Sequence, residues 1–310
     1  MVGTRGHSVP FLFLIETGMK DYLQMFRSNE TPLRLVAKVF LLLFFVVAFY
    51  LVFLKISNKM ETQEKPAPLT TNTTVIDTSP TLSPSRSTYP SQILDLSNWK
   101  ITLPIGPSEN PTEIKQPQLS TYSVDPWFIA MPEGRGVRFR APVNAVTTGR
   151  SDYPRSELRE MINNGTAKVS WSTSAGTHTM FLDQAITAVP KKKKHVVVGQ
   201  IHDADNDIIV IRLEYPNLYV NVNGKNKRKL DSKYMLGKRF TVKFVVSNGK
   251  TEVYYNNSTA PVYTLNKKYS DAYFKAGAYT QSNCSREGFL LCNDNNYGEV
   301  VIYQVVVTHQ

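Results

Sequence analysis

The sequence predicts an all-β protein, an antiparallel two-sheet β-sandwich of the jelly-roll type over residues 92–310, preceded by one transmembrane helix at residues 35–54. After residue 94, short runs of β-branched and aromatic residues alternate with turn signals, and no long stretch has a helical period. Many short strands over roughly 215 residues favour two packed antiparallel sheets. Residues 35–54, by contrast, are almost uniformly apolar.

The apolar segment reads LVAKVFLLLFFVVAFYLVFL, with Lys38 as its only charge. About 20 residues at a rise of about 1.5 Å span a hydrocarbon core of roughly 30 Å. The segment begins too far from Met1 for a typical cleaved signal peptide. A small excess of basic residues before it, including Arg27 and Arg34, predicts a type II signal anchor with residues 1–34 in the cytoplasm. A buried core helix is the alternative.

Residues 55–91 are expected to form a stalk. Residues 66–91 are rich in Thr, Ser and Pro and carry too little apolar surface to fold, so they predict an extended segment that is open to O-glycosylation and to cleavage. N-glycosylation sequons beyond the anchor agree with a lumenal or extracellular domain; they begin at Asn72, Asn164, Asn256, Asn257 and Asn283.

The net charge of +11 favours a polyanionic partner. Nucleic acid, an anionic membrane surface and an acidic polysaccharide all qualify, but a lumenal domain rarely meets nucleic acid, so we expect none to be bound. Two basic clusters, residues 191–194 and 225–229, are expected to be solvated loop charges. The alternative is that they attract a polyanion over a distance, an effect that salt would weaken.

Seven strands are predicted from the alternating pattern, at residues 196–201, 208–215, 218–222, 240–246, 251–255, 273–281 and 300–307. Turns at Asn223-Gly224 and Asn248-Gly249 separate neighbouring strands. Phe240 and Phe244 exemplify the buried face of an alternating strand.

Three segments, two of them overlapping these strands and a third at residues 153–160, carry polar side chains on one face if they are extended, because side chains along a strand alternate with period two. In residues 153–160 (YPRSELRE) these are Arg155, Glu157 and Arg159; a self-paired, solvated strand is the alternative. In residues 199–203 (GQIHD) they are Gln200 and His202. In residues 273–281 (YFKAGAYTQ) they are Tyr273, Lys275, Tyr279 and Gln281, around Gly277. A glycine inside a strand often marks the close approach of a ligand.

Asp203, Asp205 and Asp207 resemble the start of a calcium loop, but the glycine and the distal glutamate of such a loop are missing. We interpret them as a polar turn.

The segments RSELRE, QIH and YFKAGAYTQ, in this order, resemble the signature of the family 7 polysaccharide lyases, the alginate lyases. Residues 94–104 (LDLSNWKITLP) are similar to the opening strand of that family. The resemblance covers the chain after the stalk; Ala278 and Thr280 occupy positions at which the family varies. The resemblance implies a jelly-roll sandwich with a concave groove that holds a polyuronate.

The resemblance also implies the site residues. Arg155, Gln200, His202 and Tyr279 would be catalytic, and Glu157, Arg159, Tyr273, Lys275 and Gln281 would bind substrate. Elimination removes a weakly acidic proton alpha to a carboxylate, so a guanidinium and an amide would stabilise the enolate-like charge. His202 or Tyr279 would take this proton and Tyr279 would protonate the leaving oxygen.

The reaction would need no metal and no cofactor, since cationic side chains supply the charge. The isoleucine of QIH resembles members of the family that accept guluronate.

Two rival functions remain open. A glycosidase needs two carboxylates across the scissile bond, and only Glu157 shares a face with the predicted site. A lectin-like protein would keep the groove without turnover.

The two cysteines, Cys284 and Cys292, are too few for a zinc site and close enough to join a short loop. Outside the cytosol we expect a disulfide between them. Asn283 lies beside this loop and near the presumed groove, so we expect it to carry no glycan.

Overall fold

The computed structural model describes residues 89–310. The predicted cytoplasmic tail and transmembrane segment, and nearly all of the predicted stalk, lie outside the described residues. The strands are β1 Trp99–Thr102, β2 Glu113–Ile114, β3 Phe128–Ala130, β4 Val137–Pro142, β5 Arg155–Ile162, β6 Ala167–Lys168, β7 His178–Ala188, β8 His195–His202, β9 Asp207–Glu214, β10 Asn217–Val222, β11 Lys225–Asp231, β12 Arg239–Ser247, β13 Lys250–Tyr255, β14 Tyr263–Asn266, β15 Tyr273–Thr280 and β16 Tyr297–His309.

Helical structure is confined to short pieces within the described range. One α-helical turn, α1, spans Cys284–Glu287, and 3₁₀ turns lie at Pro90–Gln92, Gln118–Thr121, Pro132–Gly134 and Phe289–Leu291. No helix between residues 89 and 310 is long and apolar enough to cross a membrane.

The strands form two antiparallel sheets. One has nine strands, in the order β11-β10-β9-β8-β15-β5-β1-β2 with β6 paired to β5; the other has seven, in the order β14-β13-β12-β7-β16-β4-β3. Neighbours are often distant in the chain: β15 lies between β8 and β5, and β16 between β7 and β4. This arrangement confirms the predicted all-β antiparallel sandwich.

One apolar core lies between the sheets. On β12, Phe240, Val242, Phe244 and Val246 are buried while the residues between them are partly exposed, as the alternation predicted. The nine-stranded sheet contributes buried side chains such as Leu158, Ile201 and Phe274. Because burial of one such side chain contributes roughly 1.5–3 kcal/mol, this layer holds the sheets face to face.

The two predicted Asn-Gly turns are confirmed. Asn223 and Gly224, between β10 and β11, have φ of 49° and 72°, and Asn248 and Gly249, between β12 and β13, have φ of 50° and 74°. Two successive positive φ values define the type I′ turn, whose twist matches that of a two-residue hairpin.

All seven predicted strands are confirmed, with ends that differ by at most three residues. Strand β7 is not predicted from the residue pattern, although β7 pairs with both β12 and β16 in the seven-stranded sheet. Its alternation is obscured because Gln184, a polar residue, occupies a fully buried position.

The expectation of loop charges at residues 225–229 is wrong, since this cluster forms most of the edge strand β11. Its basic side chains are nevertheless exposed, as predicted. Charge along an edge strand hinders pairing with a second chain, which accounts for a basic sequence in this place.

Candidate active site

A groove of about 720 Å³ lies on the outer face of the nine-stranded sheet. Its charged lining comprises seven basic side chains (Lys100, Arg150, Arg155, Arg159, Lys168, Arg212 and Lys275) and four carboxylates (Glu113, Asp205, Asp207 and Asp271). A recess with an excess of positive charge concentrates anionic ligands.

The three sequence motifs meet at the centre of this groove because β5, β15 and β8 are adjacent. The strand register sets the pairs: Arg155 lies opposite Tyr279, Arg159 opposite Lys275, Lys275 opposite Gln200, and Tyr273 opposite His202. Segments that are up to about 120 residues apart in the chain thus form one continuous polar surface.

Glu157 lies beneath this surface and is only 1% exposed. Its Oε2 is 2.5 Å from Lys275 Nζ and 3.2 Å from Arg155 Nη1, and its Oε1 accepts a 2.5 Å hydrogen bond from Gln200 Nε2. Burial by itself raises the pKa of Glu157, but the charges of Lys275 and Arg155 outweigh burial and hold the pKa below its usual value. The ionised carboxylate therefore orients three site residues. Glu157, unlike Gln200, is not among the residues that line the groove, so it supports the lining instead of making the sugar contact predicted for it.

Lys275 is 7% exposed and lines the groove above this carboxylate. Burial, together with the neighbouring charge of Arg155, lowers the pKa of Lys275 to about 8. The side chain is therefore still a cation at neutral pH.

Two arginines stack on two tyrosines of the site. Arg155 Cζ lies 4.0 Å from the ring centroid of Tyr279, and Arg159 Cζ lies 3.8 Å from that of Tyr273. Such cation–π contacts restrict both partners. Among the described residues, Arg155 Nε has no hydrogen-bond partner. A guanidinium donor is thus uncommitted beside the Tyr279 ring.

His202 is held in one tautomer. Its Nδ1 lies 2.6 Å from the carbonyl oxygen of Asp203, which can only accept, so Nδ1 carries the proton and Nε2 keeps its lone pair. Tyr273 stacks on the imidazole at 5.4 Å. Burial lowers the pKa of His202 below its ordinary value of 6.5, against the opposing effect of the hydrogen bond to Asp203. Neutral His202 can therefore act as a base through Nε2.

Tyr279 and Gln281 lie at the end of β15, and both line the groove. The phenolic oxygen of Tyr279 is 2.8 Å from Ser151 Oγ, in the loop before β5. This hydroxyl can give up or accept a proton, whereas the Gln281 amide can only bind. His202 Nε2, the Tyr279 phenol and the cations around Arg155 together can support acid–base chemistry on an anionic ligand.

Gly277 allows β15 to pass close to β5. A Cβ at this position would lie 2.5 Å from the carbonyl oxygen of Ser156 and 2.8 Å from Glu157 Cα, and the φ of Gly277 is +140°. Only glycine fits this conformation and this space. The glycine that the sequence analysis associated with ligand approach instead serves strand packing.

The acidic stretch after β8 is a polar turn, as interpreted from the sequence. Asp203 Oδ1 accepts the backbone N–H groups of Asp205 and Asn206, at 2.9 and 2.7 Å.

Cys284 and Cys292 form a disulfide, as predicted. The turn that it closes is tied to the site region through Asn283, whose Nδ2 donates to the carbonyl oxygen of Asp152 at 3.1 Å. The atom that would carry a glycan on Asn283 is thus used in an internal hydrogen bond.

Sequence reasoning misses several residues of the site. Ser151 belongs to a loop without periodicity, and no motif marks it. Lys193, expected to be a solvated charge, donates to the hydroxyl of Tyr153 at 2.7 Å, and the Tyr153 ring lies 6.4 Å from that of Tyr279. Lys100 pairs with Glu113 at 2.5 Å on β1 and β2. No motif in the sequence indicated this pair.

The comparisons with known proteins agree with this geometry. The alginate lyase family model matches residues 94–309. An alginate lyase of Klebsiella pneumoniae is 30% identical over 165 residues, which are 44% of this chain and 53% of that relative, so the match spans about half the length of the curated relative.

Two solved structures superpose over nearly their whole length. The alginate lyase from Corynebacterium sp. is 49% identical, with a TM-score of 0.69 over 72% of this chain and 99% of that one. Alginate lyase AlgAT5, of polysaccharide lyase family 7, is 51% identical, with a TM-score of 0.68 over 72% of this chain and 100% of that one. Since the family match covers more than half of the sequence, the chain belongs to the alginate lyase family.

Proposed function

We propose that the groove cleaves alginate by β-elimination without a metal cofactor and leaves an unsaturated uronate at the new chain end. The observation that carries this proposal is the convergence of Arg155, Gln200, His202 and Tyr279 in one cationic groove. The family relationship supports the same activity.

Arg155 and Gln200 bind the carboxylate of the sugar that loses its proton. Both are already oriented by Glu157, so no reorganisation is needed as charge develops on that carboxylate. Lys275 adds positive charge beneath them.

His202 Nε2 or the oxygen of Tyr279 takes the C5 proton, and Tyr279 protonates the glycosidic oxygen that leaves. Arg159, Tyr273 and Gln281 hold neighbouring sugars. Two complexes of the family 7 alginate lyase A1-II′, with a product (GGG) and with a substrate (GGMG), give precedent for an occupied groove; that protein is 27% and 26% identical in the two, with a TM-score of 0.60 in both.

The test follows ultraviolet absorbance while the purified protein acts on guluronate-rich alginate, mannuronate-rich alginate and a neutral glucan. We expect a rise on alginate alone that persists in a chelator, because a conjugated double bond forms only by elimination. The alginate that is cleaved at the higher rate identifies the preferred uronate. New reducing ends without absorbance would instead indicate hydrolysis.

Two variants test the assigned chemistry. His202→Asn and Tyr279→Phe should each lower cleavage by at least about 10²-fold, the usual contribution of a general acid or base, while oligosaccharide binding is retained. Unchanged cleavage in both variants would overturn the assignment. Binding by the unchanged protein with no cleavage of any polymer would favour the lectin-like alternative.

We also propose that residues 35–54 anchor the protein as a type II membrane protein, with residues 1–34 cytoplasmic, residues 55–91 a stalk and residues 92–310 a lumenal or extracellular catalytic domain. The apolar length and basic flank of the segment support this. Carbonate extraction and protease protection in microsomes test it. Release by carbonate would refute the anchor, and digestion of the catalytic domain in sealed microsomes would refute the orientation.

A further inference from the structure

Ser151 lies in the loop between β4 and β5 and contacts the phenol assigned as the general acid. Its Oγ is 2.8 Å from Tyr279 Oη. The same Oγ accepts the backbone N–H of Tyr153 at 3.1 Å and lies 3.2 Å from the carbonyl oxygen of Tyr153.

A serine hydroxyl has one hydrogen to donate, and two acceptors are within reach of Ser151. While Tyr279 is protonated, it can donate to Ser151 Oγ, and the serine hydrogen then points to the Tyr153 carbonyl. When Tyr279 has lost its proton, the serine hydrogen can turn to the phenolate oxygen. One rotation of a hydrogen therefore serves both protonation states, with no movement of heavier atoms.

Ser151 is itself fixed by contacts away from the groove centre. Its backbone N–H donates to the carbonyl oxygen of Thr148 at 2.9 Å, and the next residue, Asp152, accepts from Asn283 Nδ2. Asn283 begins the turn closed by the disulfide. The backbone that carries the hydroxyl is thus held by residues on both sides of Ser151.

We propose that Ser151 is a positioning residue for Tyr279, which holds the phenol in place and stabilises its deprotonated form by hydrogen bonding. The inference rests on the role of Tyr279 in the proposed function. The Arg155 guanidinium and the Tyr153 ring, with Lys193 on its hydroxyl, also face Tyr279, and Arg150 and Gln281 line the same groove. The Ser151 variants leave all of these in place.

The test compares Ser151→Ala and Ser151→Thr in the full chain, with kcat, KM and the pH–rate profile measured on alginate. A hydrogen bond to a charged group corresponds to roughly a ten- to hundredfold factor, so Ser151→Ala should lower kcat by that amount, with KM changed by less than about twofold. The alkaline limb of its pH–rate profile, along which Tyr279 loses the proton that it must donate, should move to higher pH, because loss of the serine donor disfavours the phenolate. Ser151→Thr keeps the hydroxyl and should recover most of the rate.

Ser258→Ala is the matched control, since Ser258 Oγ also accepts a backbone N–H, that of Tyr255, but in a turn of the other sheet. Unchanged kcat in Ser151→Ala would overturn the proposal. A loss with an unshifted pH profile and no recovery by threonine would also overturn it, since only loop structure would then be affected. Tyr279→Phe distinguishes failure of this inference from failure of the proposed function. If Tyr279→Phe remains active, Tyr279 is not the general acid, whatever the result for Ser151→Ala.

Discussion

Glu157 lies under the groove and outside its lining, in contact with three residues of the site. Its carboxylate lies among Lys275, Arg155 and Gln200 and is withdrawn from solvent. Removal of one member of a buried ionic group leaves the others desolvated and unpaired. The same burial excludes Glu157 as one of the two exposed carboxylates that a glycosidase would need.

Glu157→Gln should therefore lower the free energy of unfolding by about 3–5 kcal/mol, because two buried cations lose their counter-charge. Urea denaturation measures this change. Glu252→Gln is the control: Glu252 pairs with Lys250 at 3.3 Å on the surface, and such pairs contribute about 1 kcal/mol or less. Similar midpoints for the two variants would contradict the role given to Glu157.

His202 makes a prediction about pH. Its neutral form is the base, and burial holds its pKa below 6.5, so kcat/KM should fall only when the pH drops below 6.5, as the ring becomes protonated. The pH dependence of kcat/KM on guluronate-rich alginate measures the midpoint. A midpoint above 6.5 would contradict the assignment, as would an unchanged acidic limb in the residual activity of His202→Asn.

At the scale of elements, the disulfide-closed turn around α1 supports two loops that flank the groove. Glu287 of α1 is fully buried and accepts the backbone N–H groups of Lys192 and Lys193, at 2.8 and 2.9 Å. Asn283 holds Asp152 on the other side. The basic run at residues 191–194 is therefore anchored at its backbone, and this brings Lys193 to Tyr153.

Replacement of Cys284 and Cys292 together by serine should lower the free energy of unfolding by about 2–3 kcal/mol, as expected for a short closed loop. We also expect a lower kcat, because Asn283 and Glu287 lose their fixed positions. Urea denaturation measures the change in stability, and the absorbance assay measures the change in kcat. The comparison is the protein without substitutions after treatment with a reductant. Full stability and activity without the disulfide would show that the turn is held by its hydrogen bonds alone.

At the scale of the whole molecule, a chain of polar contacts joins the two sheets away from the groove. Glu160 of β5 accepts from His309 Nε2 of β16 at 2.5 Å, from Trp171 Nε1 at 3.1 Å and from the Phe274 backbone at 2.9 Å. His309 in turn contacts His178 of β7 at 2.7 Å. These bonds connect the last strand of the chain to the sheet that carries the site.

His309→Ala should lower the free energy of unfolding by about 1–3 kcal/mol, since Glu160 is 2% exposed and would lose one of its three hydrogen-bond donors. Thr308→Ala is the control, because it alters an exposed neighbour on the same strand. Equal urea midpoints for the two variants would show that the contact between the sheets adds nothing to stability.

Eight of the sixteen strands in the described residues, the two Asn-Gly turns, the disulfide pairing and the three polar strand faces could be predicted from the sequence alone. These features depend on neighbouring residues: alternation, turn chemistry and short spacing are local properties of the chain. The family resemblance added the sandwich and the groove. The buried Gln184 hid β7, because a single polar residue at a core position breaks the local signal.

Which faces meet, and what each side chain contacts, depends on how distant segments of the chain come together in the fold. The placement of β15 between β5 and β8 turns Glu157 from a groove residue into a buried support. The same fold brings Ser151 to Tyr279 across 128 positions of sequence. Such contacts arise from strand register and loop closure between distant segments, and no periodicity within either segment encodes its partner.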